Sequence, residues 1–193
     1  MSALVPPAAG FHGKLPGAGD FVQRRLPAAF VDPWDLAWEA SLTGLAERHG
    51  DGWRERFLDM PSWRFALASS VCGPLPWVGV VTPSTDRVGR VFPLVIASPS
   101  TPDACGWPGL PSTRWFAAVE RCMCHGRADG TPVAFDAIVS SLPDARAMSG
   151  GWRAPRGGSM HALWWRGDDP HAGSWRAGLP EDIDELRTGA ACA

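Results

Sequence analysis

WRFALASSVCGPLPWVGVVTPSTDRVGRVFPLVIAS, residues 63–98, holds three apolar segments separated by two turn-rich connections. Trp63, Phe65 and Leu67 alternate with Arg64, Ala66 and Ala68, the period of two that predicts a half-buried strand with one face on a core and one nearer solvent. Residues 77–81 (WVGVV) and 91–97 (VFPLVIA) are nearly continuous apolar runs, as expected of central strands covered on both faces. Between those runs, residues 82–90 (TPSTDRVGR) predict a polar connection and not more strand, because Pro83, Gly89 and the adjacent Asp86 and Arg87 favour turns. Strands joined with no helix between them pair antiparallel, and burial on both faces demands a layer on each side.

Outward from this meander, the upstream segments FHGKL and DFV flank the turn-rich PGAG and predict an edge hairpin within residues 10–22. Asp32 followed by Pro33 predicts a helix start, since an aspartate N-cap accepts from free backbone N–H groups and proline at the first helical position loses no bond. On that reading, replacing Asp32 by alanine costs about 1 kcal/mol. Trp34, Ala37, Trp38, Leu42 and Leu45 supply the buried stripe, and Gly50 the stop. Trp53 and Phe57 mark a further turn or two before Pro61.

Downstream, residues 99–112 are too rich in proline and glycine for regular structure and predict a surface loop. Trp115, Phe116, Val119, Cys122 and Met123 predict a helix ending near Gly126. Thr131–Pro132 begins another, with Val133, Ala137, Ile138 and Leu142 as its expected buried stripe. A loop over residues 150–158, a strand over 160–166 and a short helix over 180–187 carrying Ile183 and Leu186 complete the order. The fold expected is a three-layer α/β/α sandwich around a mainly antiparallel sheet, as a single domain over residues 10–187 with loose termini at 1–9 and 188–193. A doubly wound parallel sheet would need helices between most strands.

Composition narrows function. The 193 residues carry a net charge of -2, which gives no general attraction to nucleic acid or to an anionic membrane. Seventeen of the 18 basic residues are arginine, and Lys14 is the sole lysine. No apolar run approaches the roughly 20 residues of a membrane span, and the N-terminus lacks a basic start followed by a long apolar segment, so a cytoplasmic location is expected. An odd set of five cysteines fits reduced thiols better than a disulfide framework.

Catalytic motifs fail on spacing. GAGDFV has Val22 where a dinucleotide fingerprint needs its third glycine, and it precedes a strand-like segment. Lys14 is followed by Leu15, not by the Ser or Thr of a phosphate loop, and reads as a surface charge or a partner contact. Ser159 lacks the flanking glycine of a nucleophile elbow. Cys122, Cys124 and His125 could offer thiolate and imidazole to zinc, but they lack ligand spacing and Cys122 fits the apolar stripe of its helix. Neither a metal nor another cofactor is expected. The interleaved tryptophans and arginines of residues 152–176 suit core packing with snorkelling arginines better than single-stranded nucleic acid, because Asp168 and Asp169 interrupt the basic character.

Taken together, GFHGKLPGAGDFVQRRLP (residues 10–27), FVDPWDLAW (30–38), WRFALASSVCGP (63–74), PSTDRVGRVFPL (83–94) and LWWR (163–166) resemble the TagF (ImpM) family of bacterial type VI secretion-associated proteins. The resemblance implies a longin- or SNARE-like α/β/α architecture. It also implies a non-enzymatic cytoplasmic protein that restrains the secretion apparatus after translation through protein contacts, with a forkhead-associated-domain scaffold as partner. The other reading is a small thiol- or metal-dependent hydrolase built on Cys122, Cys124 and His125. Two polar turn-forming stretches, residues 13–20 and 84–90, carry much of the resemblance, and they nominate Lys14, Asp20, Asp86, Arg87 and Arg90 for a partner-binding surface, loops on a rigid sheet being common functional surfaces. For Asp20 or Asp86, pairing with an internal arginine is the competing expectation.

Overall fold

The apolar runs of residues 63–99 form the middle of one antiparallel sheet, in a computed structural model that describes residues 8–147 and 159–188. The expected loop over residues 150–158 and most of the expected loose termini lie outside the described residues. Strands β3 (Trp63–Leu67), β4 (Trp77–Thr85) and β5 (Val91–Pro99) are sequential neighbours, with Phe65 opposite Gly79 and Val81 opposite Val95. Strand β1 (Gly10–Gly13) pairs with β5 and with the edge strand β2 (Val22–Arg24). On the far side β6 (Ala162–Trp165) pairs with β3, and β7 (Ser174–Arg176), which its sequence does not announce, closes that edge. The spatial order is β2-β1-β5-β4-β3-β6-β7, and every pairing is antiparallel.

Helices cover both faces. On one lie α1 (Ala28–His49), α2 (Trp53–Leu58) and α5 (Ile183–Thr188), whose Phe30, Trp34, Trp38, Phe57, Ile183 and Leu186 pack with Phe65, Trp77, Val95 and Trp164. On the other lie α3 (Thr113–Asp129) and α4 (Pro132–Ser140), whose Trp115, Phe116, Val119 and Phe135 pack with Phe11, Val78, Val80, Ile96 and Trp165. The alternation of side chains along each strand sends successive residues to opposite layers, so one short run such as Val78–Val81 supplies both cores. Gly79 is required by this packing: a Cβ there would stand 2.3 Å from the Ile96 carbonyl oxygen and 2.5 Å from the Phe65 ring.

Four local expectations are corrected. Strand β3 is wholly buried because β6 flanks it, and Arg64 is therefore held inside, its guanidinium donating to both carboxylate oxygens of Glu120 at 2.7 and 2.9 Å and to Asp168 at 3.0 Å. Helix α1 begins at Ala28, four residues before Asp32. Its N-cap is Pro27, and the Pro27 carbonyl accepts from the N–H groups of Phe30 and Val31. Burial of Phe30 and Val31 against the sheet wins over the Asp-Pro signal; Asp32 is exposed and Pro33 lies within the helix. Strand β4 continues to Thr85, with Pro83 opposite Pro93, so the polar connection is shorter than the nine residues expected. In α4, Thr131 does cap, its hydroxyl accepting from the Ala134 N–H, but the inward residues are Phe135 and Val139, with Ile138 and Leu142 partly buried; Val133 and Ala137 face solvent.

Candidate functional site

Residues 86–90 connect β4 and β5, with a three-residue turn, Arg87–Val88–Gly89, closed by the Gly89 N–H donating to the Asp86 carbonyl and by the Asp86 N–H donating to that of Arg90. Gly89 sits at φ 82°, the left-handed position such a loop needs, where a side chain would be strained. Asp86 ties the turn from within. Its Oδ1 accepts from the N–H groups of Val88 (3.1 Å) and Arg90 (2.9 Å), and its Oδ2 accepts from Arg90 Nε at 2.7 Å.

The same Oδ2 accepts from Lys14 Nζ at 2.8 Å, although 72 positions separate the two residues. Both are buried, Lys14 at 4% and Asp86 at 3% exposure, so the expectation of a solvent-facing Lys14 is corrected: the chain's sole lysine is an internal counter-ion. Lys14 Nζ also lies 4.3 Å from the centroid of the Phe21 ring, a cation–π contact that shields the pair. Burial alone would raise the Asp86 pKa; hydrogen bonds from Lys14, from the Arg90 backbone and side chain and from the Val88 N–H overcome that and hold the carboxyl well below the usual carboxylate range.

Two backbone contacts complete the junction. The Arg87 N–H donates to the Ala18 carbonyl at 2.8 Å, and Arg90 donates from its terminal nitrogen to the Gly19 carbonyl at 2.6 Å. The two stretches singled out in the sequence, one in the β1–β2 connection and one at the β4–β5 turn, are thus a single unit at one end of the sheet. Of the five nominated residues, Lys14 and Asp86 are its buried tie. Arg90 serves both sides, bonded inward with its side chain 56% exposed. Asp20 and Arg87 are exposed; Asp20 Oδ1 accepts only the adjacent Phe21 N–H, and among the described residues the Arg87 guanidinium has no partner.

Two apolar residues that sequence reasoning did not select join this surface. Val88 at the turn tip is 68% exposed, and Phe21 is 44% exposed while stacking on His12 and meeting Phe92 edge-on. Behind them the buried His12 bonds through Nε2 to Asp35 of α1 at 2.8 Å, joining the hairpin to that helix layer. The Phe21 of DFV was visible only as an apolar residue in a strand-like segment, and solvent exposure leaves no mark in periodicity.

The thiol and imidazole candidates are not brought together. Cys122 is buried on the sheet-facing side of α3, where burial pushes its thiol pKa up, while Cys124 and His125 are exposed. No group of three or more His, Cys, Asp or Glu side chains suited to a metal ion occurs among the described residues. None of the described helices is long and apolar enough to cross a membrane.

An antiparallel-sheet α/β/α domain that presents a braced, mixed basic and apolar surface at one sheet end is the class this fold and site define. A family model described as the TagF N-terminal domain, type VI secretion system-associated, matches residues 10–142, and the chain belongs to that family. A crystal structure of PA0076 from Pseudomonas aeruginosa PAO1 is similar over 96% of each chain, with 27% sequence identity and a TM-score of 0.71. Comparison with curated protein sequences returned no match.

Proposed function

We propose that this protein is a non-enzymatic accessory factor that restrains the type VI secretion apparatus after translation, acting in the cytoplasm by binding a forkhead-associated-domain scaffold of that system. Family membership supplies the setting. The observation that carries the reading is the bracing of residues 14–21 against residues 86–90 by the buried Lys14–Asp86 pair, which fixes Asp20, Phe21, Arg87 and Val88 on a rigid sheet end. A surface held this way loses little conformational entropy on docking, the usual advantage of preorganisation. The hydrolase alternative finds no comparable support, since Cys122 and Cys124 diverge into core and solvent.

The test is secretion in the native host. Removing the gene should raise the secreted output of the type VI system, and returning the wild-type gene should lower it again with the amounts of apparatus proteins unchanged. Output that is indifferent to the gene in both directions would contradict repression.

A further inference from the structure

We infer that the surface formed by Phe21, Arg87 and Val88 recognises an acidic segment of the partner protein, with a partner carboxylate on Arg87 and an apolar neighbour against Phe21 and Val88. This inference rests on the docking reading above and specifies its chemistry. Within the cluster, the cations Lys14, Arg87 and Arg90 face the anions Asp20 and Asp86, which leaves one net positive charge on a chain whose overall charge is -2. Two of those cations, Lys14 and Arg90, already share Asp86, whereas among the described residues the Arg87 guanidinium has neither a hydrogen-bond nor an ion-pair partner. The Arg87 backbone is anchored to Ala18, and its planar fork, without a partner among the described residues, can donate two hydrogen bonds to one carboxylate.

The apolar flank makes this more than a solvated arginine. Val88, the next residue of the same three-residue turn, is 68% exposed, and its N–H donates to Asp86 Oδ1, which anchors its backbone in the turn. Phe21 is fixed by the Lys14 cation and the His12 and Phe92 rings and still leaves 44% of its surface open. Arginine beside an exposed aromatic is the composition of interface anchors, with the apolar rim excluding water from the ion pair. A polyanion would meet Asp20 at the rim and, among the described residues of this sheet end, a single guanidinium without an internal partner, whereas one carboxylate with an apolar neighbour matches both features.

The experiment titrates the purified forkhead-associated-domain scaffold into this protein at about 50 and 300 mM NaCl, salts chosen to span the change in screening length. Arg87→Ala, Arg87→Glu and Arg87→Lys are compared with wild type. Because the Arg87 side chain has no partner among the described residues, all three should unfold at the wild-type denaturant midpoint. Binding should weaken about tenfold in Arg87→Ala and further in Arg87→Glu, with Arg87→Lys between wild type and alanine. Wild-type affinity should fall with salt, and less steeply in the alanine variant. Val88→Ser should weaken binding without altering that salt dependence. If the scaffold binds wild type and Arg87→Glu equally, acidic recognition is overturned while the docking reading stands. If it binds neither, the docking reading falls and takes this inference with it. Scaffold binding that survives in Arg87→Glu while attachment to anionic lipid vesicles is lost would assign the patch to a headgroup and also overturn the inference.

Discussion

Asp86 keeps its charge in a place where burial works against it, because four donors converge on its two oxygens. Its pKa is lower in the folded chain than in the unfolded one, where an aspartate titrates at about 3.9. The unfolded state therefore takes up the proton first as pH falls. Stability from this group is complete above about pH 4 and drains away below it. Asp86→Asn should lower the denaturant midpoint at pH 7, since Lys14 is left buried without its counter-charge. It should also flatten the acid limb of the stability curve, though not abolish it, because Asp144 and Asp184 are also held below the usual range. An acid limb as steep as that of wild type would show that Asp86 is not a main source of the pH dependence. Nothing in the sequence joins Lys14 to Asp86: the lysine follows a glycine and reads as a surface charge, and only the folded sheet sets β1 beside β5 and brings the two connections together.

Among the elements, the apolar runs at residues 77–81 and 91–97 were legible because both faces of β4 and β5 are buried there, whereas the far end of β4, with Thr82 and Ser84 buried as polar residues, did not read as strand. Helix α1 was legible as a helix but not at its start. Asp32 and Pro33 have the chemistry of a cap, and the packing of Phe30 beside Trp34 and Trp77 overrides it. The consequence is measurable. Asp32→Ala removes no cap and should leave the denaturant midpoint nearly unchanged, within about 0.5 kcal/mol as for an ordinary surface change. A loss of about 1 kcal/mol or more would restore Asp32 as the capping residue. Strand β7 escaped notice because SWR at residues 174–176 is three residues long, follows a glycine and has no alternating neighbours to reveal a period.

At the scale of the molecule, the antiparallel architecture followed from one negative feature, the lack of any helix within the meander, and the two helical layers followed from its two buried faces. The seventh strand and the contact of the C-terminal helix with α1 depend on long-range packing: Arg48 donates to Asp182, while His49 and Arg56 meet Asp184. The candidate surface was half legible. The charged residues of its two stretches were nominated from the family resemblance, whereas its apolar members, Phe21 and Val88, and the division of the charged ones into buried brace and exposed face needed the structure. The central claim, that this sheet end is where a partner docks, is tested most directly by hydroxyl-radical footprinting of the protein free and bound to the forkhead-associated-domain scaffold. Oxidation of Phe21 and Val88 is expected to fall in the complex while Met160, beside the opposite edge of the sheet, reacts as before; unchanged oxidation of Phe21 and Val88, with protection at Met160 instead, would contradict docking at this sheet end.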